Sequence, residues 1–188
     1  MKIALIAVGI VLLIVLILGG SLMGARNQLV TERESVNGMW AQIDVVLQRR
    51  NDLIPNLVET VKGFAKQEQS VIDSVTKARA QMAGARTPQE KINADAQLEP
   101  ALARLLLVVE NYPNIKSNEN FLRLQDELER TENRIAIARR DYNEAVKKYN
   151  TDIALFPSNI AASMFGFQRN DAYFKAEEGA KEAPKVKF

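Results

Sequence analysis

The 188-residue chain contains no cysteine and no histidine. Without cysteine the chain has no disulfide, no lipid-modified cysteine and no thiol nucleophile, and without histidine it has no imidazole base. The two absences also remove zinc sites built from Cys or His, and the bundle metal site that needs a Glu-x-x-His motif. Thiol and imidazole catalysis and metal sites built from Cys or His are therefore excluded.

Glycine, proline and net charge are also scarce. Nine glycines and six prolines favour long helices over many short strands, and 25 basic against 23 acidic residues leave a net charge of only +2. No basic run stands out, which argues against a nucleic-acid partner. No phosphate-binding loop or dinucleotide fingerprint is present, and no carboxylate pair is singled out. We therefore expect no enzymatic activity, no cofactor and no catalytic residue.

Acidic residues alone can bind a hard cation through oxygen ligands. The spacing of the relevant glutamates is more typical of a solvated helix face, so we expect no metal site. These glutamates are Glu110, Glu119, Glu127, Glu129 and Glu132.

A long charge-free run opens the chain. It extends from Ile3 to Ala25, 23 residues, or about 34 Å as a helix, and a bilayer core of roughly 30 Å needs about 20 residues. We predict an uncleaved transmembrane anchor at residues 1–25, inserted once in the cell membrane. The alternative is a cleaved signal peptide, for which this run is too long. Lys2 and the N-terminal amine on one side nearly balance Arg26 and Arg33 on the other, so the side of the membrane on which the soluble part lies stays open.

Gly20 and Gly24 form a GxxxG pair near the end of this run. Such a pair can bring two membrane helices into close contact. The competing interpretation is a flexible exit from the bilayer.

Apolar residues recur in steps of three and four after Val36, which is the seam of a coiled coil or helix bundle. The pattern predicts a helix from the membrane to about Gly63, kinked near Asn51–Ile54 by Pro55. Arg50 occupies a seam position; it either forms a buried salt bridge or reaches past the seam to water, and the second alternative is favoured. The seam residues are Val36, Trp40, Ile43, Leu47, Arg50, Ile54, Leu57, Val61 and Phe64.

Further helices follow from the same periodicity and from end signals. We expect one at residues 67–82 and another from Pro88 to about Asn111, which begins with a Thr87–Glu90 capping box and contains Pro100. Residues 114–120 are predicted to form a turn, and a long helix is predicted to follow. The residues of that helix expected to be buried are Phe121, Leu124, Leu128, Thr131, Ile135, Ala138, Tyr142, Ala145 and Tyr149. Phe156-Pro157 ends that helix, and a short helix is expected at residues 158–165.

The sequence thus predicts an all-α protein with three parts: an anchor at 1–25, an antiparallel bundle of long helices at 26–170, and a mobile charged tail at 171–188. Polar residues around the proline kink and before the 114–120 turn are candidate structural or partner-binding positions. The apolar residues of the short helix are candidates for closing the bundle end or contacting a membrane. Together these positions are Asn51, Asp52, Pro55, Asn56, Tyr112, Pro113, Ile160, Met164, Phe165 and Phe167.

Several segments resemble the LemA family. RRNDLIPNLVETVKGFAKQE (residues 49–68) is similar to its N-terminal signature, and the segment from ENYPNIKSNENF to EAVKKYN (residues 110–150) to its second. FPSNIAASMFGF (residues 156–167) and the terminal KVKF are similar to its ending. The resemblance implies a membrane-anchored bundle of long antiparallel helices, and it transfers no catalytic residue. It also implies a link with the maintenance of the envelope or of membrane proteins, including membrane proteases.

These observations predict a non-enzymatic scaffold or interaction protein. The bilayer would hold the N-terminal helix, and the long helical faces would bind copies of the chain or another membrane protein such as a membrane protease. The first alternative is a protein that binds lipid or remodels the membrane through Ile160, Met164, Phe165 and Phe167. A metal-binding protein or hydrolase is the second alternative.

Overall fold

The computed structural model describes residues 2–65 and 67–175, which form six α-helices and no strand. This confirms the all-α prediction. The helices are α1 (Lys2–Phe64), α2 (Gln69–Gly84), α3 (Pro88–Val109), α4 (Pro113–Lys116), α5 (Glu119–Ala154) and α6 (Ser158–Phe165).

The chain divides into two compact units. Among the described residues, unit 1 comprises 2–39 and 142–171, and unit 2 comprises 40–65, 67–141 and 172–175. The long helices α1 and α5 supply residues to both units.

The first part of α1 is apolar and exposed. Its most apolar 18-residue window has a mean hydropathy of 3.1 and buries none of its residues, so α1 is long and apolar enough to cross a membrane. α1 continues without a break through Ala25. The division of anchor from bundle at residue 25 therefore rests on composition and stays a prediction.

The core of unit 2 contains the seam of α1. Ile43, Leu47, Ile54, Leu57 and Val61 are no more than 1% exposed, which confirms their predicted burial. They pack against apolar residues of α2, α3 and α5 in one continuous cluster. The prediction was wrong for Phe64, which is 46% exposed, because it is the last residue of α1 and its side chain leaves the core there.

The start of α3 has the predicted capping box. The Thr87 hydroxyl accepts a hydrogen bond from the Glu90 amide at 3.2 Å, and a Glu90 carboxylate oxygen accepts one from the Thr87 amide at 3.1 Å. Backbone hydrogen bonds from Arg86 and Thr87 lower the pKa of Glu90. Pro100 does not divide α3. The carbonyl that it leaves unpaired is that of Ala96, on an exposed residue where water can bind it.

Thr87→Ala should lower the free energy of unfolding by about 1 kcal/mol, because the Glu90 amide at the start of α3 loses its side-chain acceptor. Urea unfolding of the full chain in mild detergent, followed by circular dichroism, measures the loss. The matched control is Thr76→Ala, whose hydroxyl bonds only the Ile72 carbonyl of its own helix. An equal loss in both variants would contradict the capping role.

The segment predicted as a turn at 114–120 is partly helical, and that prediction was wrong for its first half. Pro113–Lys116 form the short helix α4, because Ile115 is fully buried and draws the segment onto the core. Asn118 then precedes α5, and its side-chain oxygen accepts hydrogen bonds from the amides of Asn120 and Phe121 at 3.0 and 3.1 Å.

α5 has 36 residues and buries the predicted column over most of its length. Phe121, Leu128, Thr131, Ile135, Tyr142 and Tyr149 are buried, whereas Glu129 is exposed. Near the end of the helix the fully buried residue is Val146 rather than its predicted neighbour Ala145, which is half-buried.

Unit 1 packs the short helix α6 against α1. Ala161 and Ala162 of α6 are buried with Ala25 and Leu29 of α1, with Leu22, Ile153 and Phe167 half-buried around them. Gly166 ends α6 with a φ of +72°, in the left-handed region that glycine adopts at helix ends. The predicted bounds of α6 are confirmed.

The segment after α6 is held by side chains of α5 in unit 1. The Tyr149 hydroxyl donates to the Gln168 carbonyl at 3.0 Å, and the side chain of Asn150 bonds both the carbonyl and the amide of Asn170. In unit 2, Phe174 stacks on Trp40 with ring centroids 6.3 Å apart. The rest of the predicted mobile tail, 176–188, lies outside the described residues.

Candidate functional site

A cluster of charged side chains joins three helices inside unit 2. Arg50 of α1 donates to Asp95 of α3 and, at 2.6 Å, to Glu132 of α5. Arg139 of α5 donates to the second oxygen of Asp95 and, at 3.0 Å, to Glu99. We call Arg50, Asp95, Glu99, Glu132 and Arg139 the charge cluster.

The burial of the charge cluster is uneven. The side chains of Arg50 and Asp95 are each 2% exposed, whereas Arg139 is 21% and Glu132 41% exposed. Burial lowers the pKa of Arg50 and the attraction of Glu132 opposes that effect. Two guanidinium groups face three carboxylates, so every carboxylate of the cluster has a cationic partner. Paired in this way, the acids connect α1, α3 and α5 through ion pairs.

The favoured interpretation of Arg50, a side chain reaching past the seam to water, was wrong. Asp95 lies opposite it in the core, so the guanidinium pairs there instead of extending to solvent. The sequence carried a signal for this pair that was missed. Asp95 lies in the same three- and four-residue steps as Ile92, Leu98 and Leu102 of α3. The apolar seam of α1 therefore contains one basic residue, and that of α3 contains one acidic residue that can pair with it.

A cavity of about 210 Å³ lies beside the charge cluster. Its walls are mostly apolar, and Arg50 is part of its lining. The buried Nε atom of Arg50 has no hydrogen-bond acceptor among the residues that the structure describes. Such a cavity can hold a small apolar group with one acceptor atom. Its lining is Arg50, Glu99, Leu102, Ala103, Leu106, Gln125, Leu128, Glu129 and Glu132.

The residues predicted around the proline kink do not assemble into a site. α1 continues through Pro55, and the Asn51 carbonyl that the proline leaves unpaired accepts a hydrogen bond from Arg79 of α2 at 3.4 Å. The Asn51 side chain is buried, whereas Asp52 and Asn56 are exposed. The partner of the freed carbonyl is thus an arginine on another helix, which the sequence around the proline did not indicate.

Tyr112 links the turn before α4 to the start of α2. Its hydroxyl donates to Glu68 at 2.8 Å and accepts from Gln67 at 2.9 Å, and the bond to Glu68 raises the pKa of Tyr112. Pro113 is exposed and begins α4. Both residues have structural contacts within unit 2.

The apolar candidates of α6 lie in unit 1 and differ in exposure. Ile160, Met164 and Phe165 are 43%, 64% and 40% exposed, whereas Phe167 is half-buried against the α1–α6 contact. Leu155 and Phe156, which sequence reasoning did not single out, are 56% and 79% exposed. We call Leu155, Phe156, Ile160, Met164 and Phe165 the end patch.

Two arginines of α1 lie against aromatic rings at this end of unit 1. The guanidinium of Arg26 is 5.4 Å from the centre of the Phe165 ring, and that of Arg33 is 5.4 Å from the Phe167 ring. These distances are within the range of a cation–π interaction. The end of unit 1 therefore combines exposed apolar side chains with a cation.

Gly20 and Gly24 are exposed on α1, and a Cβ atom at either position would meet open space in the part of the chain that the structure describes. The same described residues include no group of three or more acidic side chains placed to hold a metal ion.

Comparison with known proteins gives one family match. The sequence model of the LemA family matches residues 39–188. The chain is 30% identical to magnetosome protein MamQ 1 of Paramagnetospirillum magneticum, over 84% of this chain and 67% of that protein. It is 26% identical to magnetosome protein MamQ of Magnetospirillum gryphiswaldense, over 81% of this chain and 66% of the relative. It is 21% identical to protein LemA of Metamycoplasma hominis, over 82% of this chain and 71% of that protein.

Proposed function

The chain belongs to the LemA family, and from this membership and the exposed apolar start of α1 we propose that it is a non-enzymatic scaffold anchored in the cell membrane by one helix. The carrying observation is that the apolar residues from Ile3 to Leu18 pack against nothing in the described structure, and that the charge-free run to which they belong, Ile3–Ala25, is long enough to cross a bilayer. In this function the bilayer is the first partner. The helical units then bind copies of the chain or another membrane protein, such as a membrane protease, in the maintenance of the envelope.

Self-association is supported by the position of the two glycines on α1. Successive residues of an α-helix are about 100° apart, so Gly20 and Gly24 lie on one face. Leu22, Ala25 and Leu29, which pack against α6, lie on the opposite face. The glycine face is therefore left free by unit 1, and two chains can approach closely through it within the membrane.

A pair of single-cysteine variants tests the anchor and the contact together, since the natural chain has no cysteine. Leu13 lies on the glycine face of α1 and Val15 on the opposite face. In oxidised membranes Leu13→Cys should form a disulfide-linked dimer, and Val15→Cys should form much less. Adding Gly24→Leu to Leu13→Cys should abolish the dimer, because the larger side chain separates the helices.

Equal crosslinking of the two variants would contradict the glycine-face contact. Alkaline extraction of the membranes provides the separate test of the anchor, because an inserted helix stays with the lipid. Release of the full-length chain by alkali would overturn the proposal as a whole. Crosslinked products of other masses would identify further membrane-protein partners.

The exposure of the end patch favours one alternative function, a protein that bends the membrane. Electron microscopy of vesicles that contain the purified full chain distinguishes it from a scaffold. Tubes or constricted vesicles would support remodelling, whereas vesicles of unchanged shape would support the scaffold.

A further inference from the structure

The level of the end patch along α1 follows from the pairing of α1 and α5 within unit 1. Lys148 of α5 forms an ion pair with Glu32, and Asp152 accepts a hydrogen bond from Gln28 at 3.1 Å, so the two helices run antiparallel. Both helices rise by about 1.5 Å per residue, so each step forward on α5 matches one step back on α1. Continuing this register to the last residue of α5 places Ala154 level with Arg26, and Leu155 and Phe156 follow Ala154 directly in the chain.

The contacts of α6 place the end patch at the same height along α1, independently of the pairing of α5. Ala161 and Ala162 pack on Ala25 and Leu29, and Phe165 lies under the guanidinium of Arg26. The end patch therefore lies beside residues 25 and 26 of α1, on the side away from the glycine face.

The length of the apolar segment sets where these residues lie in a bilayer. A helix from Ile3 to Leu22 spans about 30 Å, the thickness of the hydrocarbon core. The polar interface adds about 5–7 Å on each side, or roughly four residues of helix. Gly24, Ala25 and Arg26 therefore fall within the interface, and so does the end patch.

The chemistry of the end patch fits that environment. Phe156, Met164 and Leu155 are more than half exposed, and Ile160 and Met164 lie one turn apart on one face of α6. Apolar side chains grouped at one end of a unit are unfavourable in water and commonly mark an interaction site. Interfacial helices combine Phe and Leu with basic residues in this way, and Arg26 is placed to bind a lipid phosphate.

We propose that the end patch inserts into the interface of the same bilayer that α1 spans, so that lipid holds unit 1 at a second point. The proposal rests on the membrane anchor proposed above. The occupant is the lipid layer where α1 leaves the hydrocarbon core, and a second copy of the chain is the competing occupant. Contact at two points would fix the tilt of α1 and keep unit 1 close to the membrane surface.

Three single-cysteine variants of the full chain test the proposal. Met164→Cys labels the end patch, Leu13→Cys labels the anchor, and Ser35→Cys labels an exposed position of α1 about 20 Å beyond Leu22. Each variant carries an environment-sensitive fluorophore on its cysteine. The proteins are reconstituted in phosphatidylcholine vesicles with a minor share of phosphatidylglycerol, with or without bromine on the acyl chains.

The label at residue 164 should emit at shorter wavelength than the label at 35, and brominated lipid should quench it strongly. The label at 35 should be unquenched. Equal, weak quenching of the labels at 164 and 35 would overturn the interface contact. Emission from the label at 164 that shifts with protein concentration and is not quenched by brominated lipid would also overturn it, because that result is expected when a second copy of the chain covers the end patch.

The label at residue 13 separates the two proposals. Quenching at 13 without quenching at 164 rejects the end-patch contact and leaves the anchor intact. Absence of quenching at 13 rejects the anchor itself. A charged substitution gives a second measurement: Phe156→Glu should reduce quenching of the label at 164, whereas Glu144→Gln, on an exposed position of α5, should leave it unchanged.

Discussion

Asp95→Ala should lower the free energy of unfolding by about 3–5 kcal/mol, because it leaves the guanidinium of Arg50 buried without its closest carboxylate. Asp95 is also bonded to Arg139, so the charge cluster between α1, α3 and α5 loses both of its central bonds. Urea unfolding of the full chain in mild detergent, followed by circular dichroism, measures the loss.

Two further variants distinguish the effect of leaving a buried charge unpaired from the effect of removing any carboxylate. Asp126→Ala removes an acid that pairs with Arg130 on the exposed face of α5, and it should cost less than about 0.5 kcal/mol. The double variant Arg50→Met with Asp95→Leu should recover most of the lost stability, because an apolar pair of similar size needs no charge compensation. Equal losses for Asp95→Ala and Asp126→Ala would contradict the buried pair.

Leu128→Ala should lower the free energy of unfolding by about 2–5 kcal/mol, because Leu128 is 7% exposed in the core of unit 2 and its truncation leaves a void. Tyr142→Ala, in the same column of α5 and 1% exposed, should have a comparable effect. The same urea unfolding experiment measures both variants.

The neighbouring residue provides the matched control for this face. Glu129→Ala should change stability by less than roughly 0.5 kcal/mol, because Glu129 is exposed. A helix rotated by one residue would exchange the two effects. Similar losses at positions 128 and 129 would therefore reject the packing of α5.

Local signals predicted the helices well where they were strong. The capping box of Thr87 and Glu90, the proline that ends α5 and Gly166 after α6 each act within a few residues, so the sequence indicates them directly. The short helix α4 was missed because the burial of Ile115, rather than helix propensity, holds that segment.

The candidate sites were less predictable than the helices. Asn51, Asp52 and Asn56 were singled out because they flank Pro55, yet the carbonyl that the proline leaves unpaired accepts a hydrogen bond from Arg79 of another helix. Leu155 and Phe156 were not singled out, because residues at a helix end are normally exposed and their level along α1 depends on how α5 pairs with it.

The sequence by itself determined the residue types and periodicities: the charge-free run, the seams of α1 and α5, the absence of cysteine and histidine, and the resemblance to the LemA family. These properties follow from chain order and need no knowledge of neighbours in space. The tertiary structure decided which seam residues meet, and therefore that Arg50 is buried against Asp95 and that the end of α5 lies level with Arg26. Periodicity fixes the face of a helix but not its register against a partner, because sliding two seams by one heptad preserves the pattern and changes every contact.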